Sequence, residues 1–386
     1  MKCNNERKQK MDNSMSLFDL LPEEEAARFK PQKSTDWKWT FADYPKEKNG
    51  LKVFSCFACG GGSTMGYKLA GCEVIGCCEI DPKMNEIYIK NHHPKHNFLM
   101  DIRDFNAIPD DQLPPELFDL DVLDGSPPCT TFSMAGDRED SWGKKKKFRE
   151  GQKEQTLDDL SFVFIETVKK LKPRIVIMEN VEGLIRGEAF QYVQKIYKQF
   201  EEAGYKVHHW LMKGELMGIP QARHRVFFIA CRKELEIDPM RINASFNYEP
   251  ILYKEIKTGK GKPVTPGTRI YNLLCKANEN DTALSDIVKR EENKESLFNY
   301  LILNEEKVFP TITAGSAVPA MRREEKSYCT ELDFIQAQTF PLDYNFGNRS
   351  LRNVQYICGM SVPHVMMKRI VQRLIAEGVF SYKGVT

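Results

Sequence analysis

The segment Lys52-Val53-Phe54-Ser55-Cys56-Phe57-Ala58-Cys59-Gly60-Gly61-Gly62 decides the fold of this chain of 386 residues. A short apolar run ends here in three consecutive glycines, and a helix-like segment (63–70) leads to a second apolar run (73–78). A strand, a glycine turn and a helix in this order are typical of an α/β domain that binds a nucleoside-bearing ligand at the turn. A turn needed only for packing fits the glycines equally well.

The order of apolar run, turn and helical stretch repeats as far as about residue 231. Further apolar runs occupy residues 120–124, 175–178, 206–211 and 226–230. The segment 157–171 has a helical pattern, with apolar residues at spacings of four, four and three, namely Leu160, Phe164, Val168 and Leu171. Strands that alternate with helices predict an α/β fold with a doubly wound, mainly parallel sheet.

Composition divides the chain into four segments. Residues 1–48 carry many charges and few apolar residues, which predicts a partly disordered N-terminal extension. Residues 49–231 form the α/β domain, and 232–308 read as short irregular pieces of a smaller domain. Residues 309–386 recover apolar periodicity, end in a helix and are expected to complete the first domain.

Overall composition excludes several classes of protein. Lys plus Arg total 56 against 54 Asp plus Glu, so net charge indicates no particular partner. No apolar run reaches the roughly 18 residues of a membrane span, and the charged N-terminus predicts no export signal. Eleven cysteines, an odd number, favour reduced thiols. We therefore expect a cytoplasmic protein without a membrane partner.

The first half of the predicted sheet carries the signs of a cofactor site. Glu79 ends the second apolar run, where a carboxylate can accept hydrogen bonds from both hydroxyls of a ribose. The turn lacks the Lys and Ser or Thr of a phosphate-binding loop, which favours S-adenosylmethionine over a nucleotide. Asp101 is placed to bind an adenine amino group or, alternatively, to cap a helix. Cys56 and Cys59 lack a second ligand pair, so we expect buried thiols and no metal.

Reactive side chains follow the later strands of the predicted sheet. Cys129 stands on a loop fixed by two prolines directly after the run 120–124, and Glu179 ends the run 175–178. Arg223 and Arg225 precede the run 226–230 at alternating positions, which places them on one side of an extended segment. Ligands bind at the carboxyl ends of such strands, so a thiol nucleophile, an acid and two guanidinium groups are predicted to converge there.

These motifs resemble those of the cytosine-5 DNA methyltransferases, in the order of that family, across residues 51–230 and 309–377. The matching blocks are residues 57–62, Glu79-Ile80-Asp81, Asp101-Ile102, Pro128-Cys129, Glu179-Asn180-Val181, residues 221–225 and residues 359–363. The resemblance implies the Rossmann-like fold of S-adenosylmethionine-dependent methyltransferases. It also implies that residues 232–308 form a target-recognition domain that reads double-stranded DNA.

The resemblance assigns roles to individual residues. Cys129 would attack carbon 6 of a flipped-out cytosine, Glu179 would protonate ring nitrogen 3, Arg225 would bind the carbonyl oxygen, and Arg223 would position the Cys129 loop or a phosphate. The expected cofactor residues are Phe57, Gly60, Gly61, Gly62, Glu79, Ile80, Asp101, Ile102, Pro128, Ser361 and Val362. The expected DNA contacts include Thr130, Ser133 and Gln221. Two basic runs of the sequence, residues 144–147 and the flexible basic stretch 254–269, add Lys144, Lys145, Lys146, Lys147, Lys257, Lys260 and Lys262, and a solvated surface is the alternative interpretation of both runs.

The chain departs from the family pattern at three places and partly at a fourth. Thr130 replaces a Gln, Met360 replaces an Asn, Cys59 replaces a Gly, and residues 330–333 keep only part of an Arg-Glu pattern. A transfer-RNA cytosine methyltransferase and a non-catalytic DNA-binding scaffold are the alternative functions, although a scaffold would be expected to have lost Cys129 or Glu179. We expect a monomer, in the bacterial or phage-type cytoplasm with the nucleoid, and leave open a cognate restriction endonuclease as a partner.

Overall fold

The computed structural model describes residues 30–128, 160–296, 300–314 and 319–381. Its main feature is a seven-stranded sheet with the strand order β3-β2-β1-β4-β5-β8-β6. Strands β1 to β5 run parallel, whereas β8 is antiparallel to both β5 and β6. The strands of the described residues are β1 (Lys52–Cys56), β2 (Glu73–Glu79), β3 (His96–Leu99), β4 (Val122–Gly125), β5 (Ile175–Val181), β6 (Tyr205–Lys213), β7 (Gln221–Ala222), β8 (His224–Arg232), β9 (Leu301–Leu303), β10 (Phe309–Pro310), β11 (Ala320–Arg322) and β12 (Ser327–Tyr328).

Helices connect most of these strands. Within the described residues they are α1 (Gly62–Leu69), α2 (Pro82–His92), α3 (Ile102–Ala107), α4 (Leu160–Leu171), α5 (Phe190–Glu202), α6 (Tyr253–Ile256), α7 (Arg269–Cys275), α8 (Leu284–Glu292), α9 (Glu331–Ala337), α10 (Leu351–Met360) and α11 (His364–Ala376). The six predicted strands and the C-terminal helix are thus confirmed, with strand ends that differ by up to three residues. Helix α4 confirms the described part of the predicted segment 157–171.

Helices cover both faces of the large sheet. Along β5, Val176 and Met178 pack in one apolar cluster with α3, α4 and α5. Ile175 and Ile177, which alternate with them, pack in a second cluster with α1 and α11. Burial on both faces is the reason that these strands read as continuous apolar runs. The predicted doubly wound α/β fold is confirmed.

The strand order reverses between β1 and β4. Strands β2 and β3 lie on one side of β1, whereas β4 and β5 lie on its other side. Ligands bind in the crevice outside the carboxyl ends of the strands at such a reversal. Phe57 and the glycine turn leave β1 at this point, and Ser126 to Pro128 leave β4 beside them. The topology therefore brings the predicted cofactor turn next to the loop that leads to Cys129.

A smaller unit has its own sheet, of strand order β12-β11-β9, and its own core. Helices α7 and α8 pack on this sheet. The buried core residues are Val264, Leu273, Leu274, Leu284, Ile287, Val288, Ile302 and Met321. This unit is more regular than the irregular pieces that the sequence predicts.

The limits of this unit differ from the predicted 232–308. Leu235 and Ile242 pack in the same apolar cluster as α11 and one face of the large sheet. The first residues of the predicted range 232–308 therefore belong to the α/β domain. At the other end, β11 and β12 lie beyond residue 308 but complete the small sheet. Between them, β10 returns to pair with β7. The chain therefore crosses between the two units more often than a single boundary allows.

The described part of the predicted N-terminal extension packs on the α/β domain. Trp39 is buried, and its indole Nε1 donates to the Thr339 carbonyl over 2.7 Å. That partner is 300 positions further along the chain, so a local pattern of charges could not indicate the contact. Residues 1–29, which the same prediction covers, lie outside the described residues.

Three further findings concern the described residues alone. No helix among them is long and apolar enough to cross a membrane. Their nine cysteines are free thiols, eight of them buried, which agrees with the reading of Cys56 and Cys59 as buried thiols. No group of three His, Cys, Asp or Glu side chains within these ranges is arranged to hold a metal ion.

Candidate active site

The turn after β1 is built from left-handed backbone. Phe57, Cys59 and Gly61 have φ angles of 55°, 48° and 87°. For the two residues with side chains this conformation costs about 1–2 kcal/mol each. The Cys59 N–H donates to Glu79 Oε2 over 2.6 Å, which helps to hold the turn. Strain of this kind persists where the surroundings over-determine the backbone, as they do at ligand sites.

Neighbouring protein atoms leave no room for side chains at the three glycines. A Cβ atom would lie 2.7 Å from Tyr344 Oη at Gly60, 2.0 Å from His92 Nε2 at Gly61 and 2.8 Å from the Val362 carbonyl oxygen at Gly62. The Gly60 carbonyl also accepts hydrogen bonds from Tyr344 Oη over 2.6 Å and from His92 Nε2 over 3.1 Å. Packing alone therefore requires the glycines, and they are not by themselves evidence of a ligand.

Glu79 lies at the carboxyl end of β2 with its carboxyl group buried. Its two oxygens accept the Cys59 N–H over 2.6 Å and the Asp81 N–H over 2.7 Å. Burial raises the pKa of this carboxyl, and the backbone hydrogen bonds oppose that shift. A carboxylate oxygen has two lone pairs, so each can still accept a ribose hydroxyl. The position and chemistry of Glu79 fit the predicted role.

A pocket beside the turn brings predicted cofactor residues together. It lies at the carboxyl ends of the strands on the β1 side of the crevice, and apolar side chains form most of its wall. Five of its residues are predicted cofactor contacts, namely Phe57, Ile80, Asp101, Ile102 and Pro128, and the others are Cys78, Met100 and Leu160. Apolar walls beside the two acids Glu79 and Asp101 fit an adenosyl group.

Asp101 is the N-cap residue of α3. Helix capping was the predicted alternative to a contact with the adenine amino group. Its Oδ1 accepts the Arg103 N–H over 2.8 Å, and Arg103 Nη1 lies 3.4 Å from each carboxylate oxygen. The side chain also lines the pocket. Capping and a ligand contact are therefore compatible, since the carboxylate has further lone pairs.

Ser361 and Val362 lie against the glycine turn and not in the pocket wall. The Ser361 Cβ and the Val362 backbone are within about 3 Å of the position of a Cβ atom on Gly62. The Ser361 hydroxyl donates to the Ile357 carbonyl over 2.8 Å. In this structure both residues brace the turn, so a direct cofactor contact from either remains a prediction.

The ends of β4, β5 and β8 form one edge that carries predicted reactive residues and is called the catalytic edge below. Glu179 is at this edge with 11% of its side chain exposed, and Arg225 Nε lies 2.8 Å from its Oε1. The next residue, Asn180, donates from Nδ2 to the Pro127 carbonyl over 3.3 Å. Cys129 is two residues beyond Pro127, and it lies outside the described residues. The structure thus places the acid and one arginine beside the loop that carries the predicted nucleophile.

The two arginines reach different partners. Arg223 is buried and donates from Nη1 to the Ile312 carbonyl and from Nη2 to the Gly359 carbonyl, each over 2.9 Å. Burial lowers the pKa of both guanidinium groups, and Glu179 opposes that shift at Arg225. Arg223 therefore connects two protein segments in this structure and is shielded from a DNA phosphate.

Gln221 requires a correction, because it is fully buried and cannot contact DNA in this conformation. Its Nε2 donates to the Ala337 carbonyl over 3.1 Å and to Gln338 Oε1 over 2.6 Å. Its Oε1 accepts the Ile312 N–H over 3.0 Å. Gln338 donates in turn to the Ser361 carbonyl over 2.6 Å. Gln221 therefore connects buried segments of the protein.

The predicted basic stretch near residue 260 is partly neutralised. Lys257 Nζ lies 2.6 Å from Glu305 and 2.7 Å from Glu325. These two carboxylates raise the pKa of Lys257 and offset its charge. Lys260 and Lys262 are exposed, and neither forms an ion pair with a described residue. The expectation of a phosphate contact is thus weakened for Lys257 and remains a prediction for the other two lysines.

The remaining predicted contacts lie outside the described residues. These are Thr130, Ser133 and the lysines Lys144, Lys145, Lys146 and Lys147, together with Cys129 itself. Their roles remain predictions from the sequence.

Asp124 is a buried acid that the sequence analysis overlooked. It precedes the last residue of β4, is 1% exposed, and accepts hydrogen bonds from Ser55 Oγ over 2.7 Å and Tyr67 Oη over 3.2 Å. Burial raises its pKa to about 7, although the hydrogen bonds oppose the shift. The available signal was an acid inside an apolar run, since unpaired Asp is almost never fully buried.

The chain belongs to the family of C-5 cytosine-specific DNA methylases, whose model matches residues 51–376. Its curated relatives include the type II methyltransferase M.FnuDI of Fusobacterium nucleatum, which is 33% identical over 54% of this chain and 53% of the relative. The type II methyltransferase M1.HphI of Haemophilus parahaemolyticus is 25% identical over 84% of this chain and 87% of the relative. The chain spans about half the length of the first of these relatives.

Solved structures of methyltransferases share the fold. A mutant of Spodoptera frugiperda DNMT2 superposes with a TM-score of 0.57 at 16% identity, over 84% of this chain and all of that one. The methyltransferase EhMeth of Entamoeba histolytica gives a TM-score of 0.54 at 14% identity, over 86% of this chain and 99% of that one. The fold is thus the Rossmann-like fold of S-adenosylmethionine-dependent methyltransferases, as the sequence resemblance implied.

Proposed function

We propose that this protein transfers a methyl group from S-adenosylmethionine to carbon 5 of a cytosine in double-stranded DNA. The observation that carries the proposal is the catalytic edge. The Glu179–Arg225 pair lies where Asn180 binds the loop that leads through two prolines to Cys129. Membership of the C-5 cytosine-specific DNA methylase family supports the same reaction.

The side chains of this edge supply what the chemistry needs. S-adenosylmethionine provides the methyl group when it is bound. Carbon 5 of cytosine is a weak nucleophile, and addition of the Cys129 thiolate at carbon 6 makes it a stronger one. Glu179 hydrogen-bonds ring nitrogen 3 and gives it a proton as charge enters the ring. After methyl transfer, loss of the carbon 5 proton and expulsion of the Cys129 thiolate from carbon 6 restore the ring, and nitrogen 3 returns its proton. Arg225 orients Glu179 and binds the carbonyl oxygen at carbon 2.

The substrate base has to leave the helix to reach this edge. A cytosine inside a duplex is stacked and paired, and enzymes that act on a ring atom extrude the base into a pocket. The small unit is proposed to read the DNA sequence around the target. Its exposed Lys260 and Lys262 would contact phosphates, which position the protein but do not specify sequence.

The direct test is methylation of DNA by the purified protein. Bisulfite sequencing of DNA incubated with the protein and S-adenosylmethionine is expected to show 5-methylcytosine at one sequence context. Cys129→Ser is expected to abolish the product and to retain cofactor binding, because the cofactor pocket is built from other residues. Methylation of transfer RNA but not of DNA would instead establish the RNA-acting alternative.

A covalent trap tests the nucleophile separately. Duplex DNA with 5-fluorocytosine at the methylated position should form an adduct that survives denaturing electrophoresis, because fluorine cannot leave carbon 5 as a proton does. The adduct should be absent with Cys129→Ser. A fully active enzyme that forms no adduct would show that Cys129 does not add to the ring.

We further propose that the protein acts as a monomer, alone or beside a cognate restriction endonuclease. Proteins similar in sequence to this chain include type II methyltransferases and an orphan methyltransferase of Bacillus phage SPR. Light scattering on the purified protein, with and without DNA, tests the monomer. Protection of DNA against a panel of endonucleases identifies any cognate enzyme.

A further inference from the structure

A single buried carboxyl group connects the cofactor turn with the loop of the predicted nucleophile. Ser55 on β1 and Asp124 on β4 are register partners, and the Ser55 hydroxyl donates to Asp124 Oδ2 over 2.7 Å. From α1, the Tyr67 hydroxyl donates to Asp124 Oδ1 over 3.2 Å. Two strands and one helix thus share one hydrogen-bonded centre.

Strands β1 and β4 and helix α1 lead to the groups that have to be aligned for the reaction, namely the cofactor turn and the predicted nucleophile. Ser55 lies two residues before Phe57, where the strained turn begins, and Tyr67 is on the helix that follows the turn. Asp124 is followed by Gly125, the last residue of β4, and by residues 126–128, after which Cys129 follows. The geometry of the cofactor turn and the start of the Cys129 loop are therefore set from the same carboxyl group.

Among the described residues, no cation is one of the groups that shift the pKa of Asp124 most. The titratable groups that interact with it within the described residues are Cys56 on β1, Tyr67 on α1, Tyr88 on α2 and Glu179 on β5. Burial raises the pKa of Cys56, Tyr67 and Tyr88 well above neutral, so none of these three carries a charge at pH 7. Within the described residues, the ionised form of Asp124 is favoured by hydrogen bonds from Ser55, Tyr67 and Ser63.

We propose that Asp124 is a positioning residue for methyl transfer, whose carboxylate fixes the glycine turn and residues 126–128, which lead to Cys129, relative to each other. The proposal rests on the methyltransferase function proposed above. As a carboxylate, Asp124 accepts from Ser55 and Tyr67 together. A neutral acid carries an O–H donor in place of one acceptor site, so the hydrogen bond at the protonated oxygen reverses or weakens. Methyl transfer therefore depends on the ionised form.

The pH dependence follows from this difference. Because burial raises the pKa of Asp124 to about 7, kcat is expected to rise with pH through that region. Tyr67→Phe removes one donor to the charged form, so the pKa of Asp124 and the rise in kcat both move to higher pH. Ser55→Ala is expected to act in the same direction. If the rise in kcat came from the titration of another group, Tyr67→Phe would leave that rise at the same pH.

Stability gives an independent readout of the raised pKa of Asp124. An acid with a pKa raised from 3.8 in the unfolded chain to about 7 in the fold loses native stability as pH rises between those values, and the loss is complete above the higher one. Asn has nearly the same shape and no charge. The melting temperature of Asp124→Asn relative to wild type should therefore increase between pH 5 and pH 8, while its kcat at pH 8 falls.

The experiment is a single-turnover pH profile of methyl transfer to a duplex that contains the target site, with S-adenosylmethionine affinity measured by calorimetry. Asp124→Asn is expected to lower the rate at pH 8 by about 10- to 100-fold, the cost of a small misplacement of reacting groups, and to abolish the rise near pH 7. Its cofactor affinity should change much less. Tyr205→Phe is the control variant. It removes another buried hydrogen bond, from the Tyr205 hydroxyl on the edge strand β6 to the Pro173 carbonyl, and should leave the pH profile unchanged.

Each outcome decides between the alternatives. A rise in rate that stays at the same pH in Tyr67→Phe, or an Asp124→Asn enzyme with the wild-type profile, overturns the positioning role while the methyltransferase function stands. An Asp124→Asn enzyme that is inactive and also less stable at pH 8 than at pH 5, relative to wild type, shows a structural role and overturns the proposal. A wild-type protein that methylates no cytosine overturns the proposed function and this inference with it.

Discussion

Arg225 Nε lies 2.8 Å from Glu179 Oε1, across the antiparallel pairing of β8 with β5. In that pairing Arg225 is the register partner of Val181, so it reaches Glu179 diagonally along the sheet. Diagonal neighbours on one face are within reach of a long side chain. The pair is therefore a product of strand register, and it fixes the orientation of the acid before any base enters the site.

Glu179→Gln is expected to lower the rate of methyl transfer by about two to four powers of ten, the usual worth of general acid catalysis. The amide keeps the shape of the side chain but cannot give a proton to ring nitrogen 3. Rapid-quench measurement of a single turnover at saturating DNA checks the step directly. A loss below threefold would mean that another group protonates the ring.

Arg225→Ala is expected to reduce turnover by about 100-fold or more, because a misplaced catalytic group costs that much. DNA affinity on a sequence without the target should change far less, since only 14% of the Arg225 side chain is exposed and it pairs with Glu179. The double variant Glu179→Gln/Arg225→Ala should be scarcely slower than the slower single variant, since contacting residues are not additive. Full additivity of the two losses would show that Arg225 acts independently of Glu179.

Gly61→Ala is expected to destabilise the fold by more than the cost of backbone strain. Left-handed backbone costs a non-glycine residue about 1–2 kcal/mol, and crowding against His92 adds about 1–3 kcal/mol. Gly204→Ala is the matched control, because its φ of 89° is similar and nothing lies within 4 Å of its Cβ position. Urea unfolding of both variants gives the difference. If Gly61→Ala and Gly204→Ala lost the same free energy of unfolding, the His92 ring would move aside without an energetic cost.

Some of this site could be predicted from sequence because its signals are local. The apolar runs locate the strands of the sheet, since strands buried on both faces are continuously apolar. The short strand β3 escapes that rule because its residues alternate between half-buried and exposed. The family motifs identify Glu79 and Glu179 by the residues beside them, and both lie at carboxyl ends of strands.

Other features depend on contacts between distant parts of the chain. Gln221 bonds Gln338, which is 117 positions away, and Lys257 pairs with Glu305, which is 48 positions away. A count of charges within a window cannot include such partners. The role of Asp124 likewise depends on Tyr67, 57 positions earlier. A polar side chain in the sequence indicates that a polar partner is needed. It does not indicate that the partner is a distant residue of the same protein, as it is for these three residues.

The double variant Lys260→Ala/Lys262→Ala is expected to weaken binding to all DNA sequences. Loss of two phosphate contacts should reduce the slope of log affinity against log salt by about 2 and leave the methylated motif unchanged. Lys257→Ala is the control, because Glu305 and Glu325 already offset its charge. Filter binding from low to high salt measures the slopes. If Lys257→Ala alone produced the larger change in slope, the basic contact would lie at Lys257.

The limits of the small unit predict how its specificity can be exchanged. A graft of residues 232–307 from a relative with another target would separate β9 from β11 and remove part of the core under α11. A graft of residues 249–308 together with 319–328 keeps the small sheet whole. It also retains the host segment 309–314, whose Ile312 bonds Gln221 and Arg223. We expect the second chimera to be folded and active and to methylate the motif of the donor, and the first to be less stable. Melting temperatures and bisulfite sequencing of both chimeras test this expectation. An active second chimera that still methylates the original motif would show that sequence recognition lies outside the small unit.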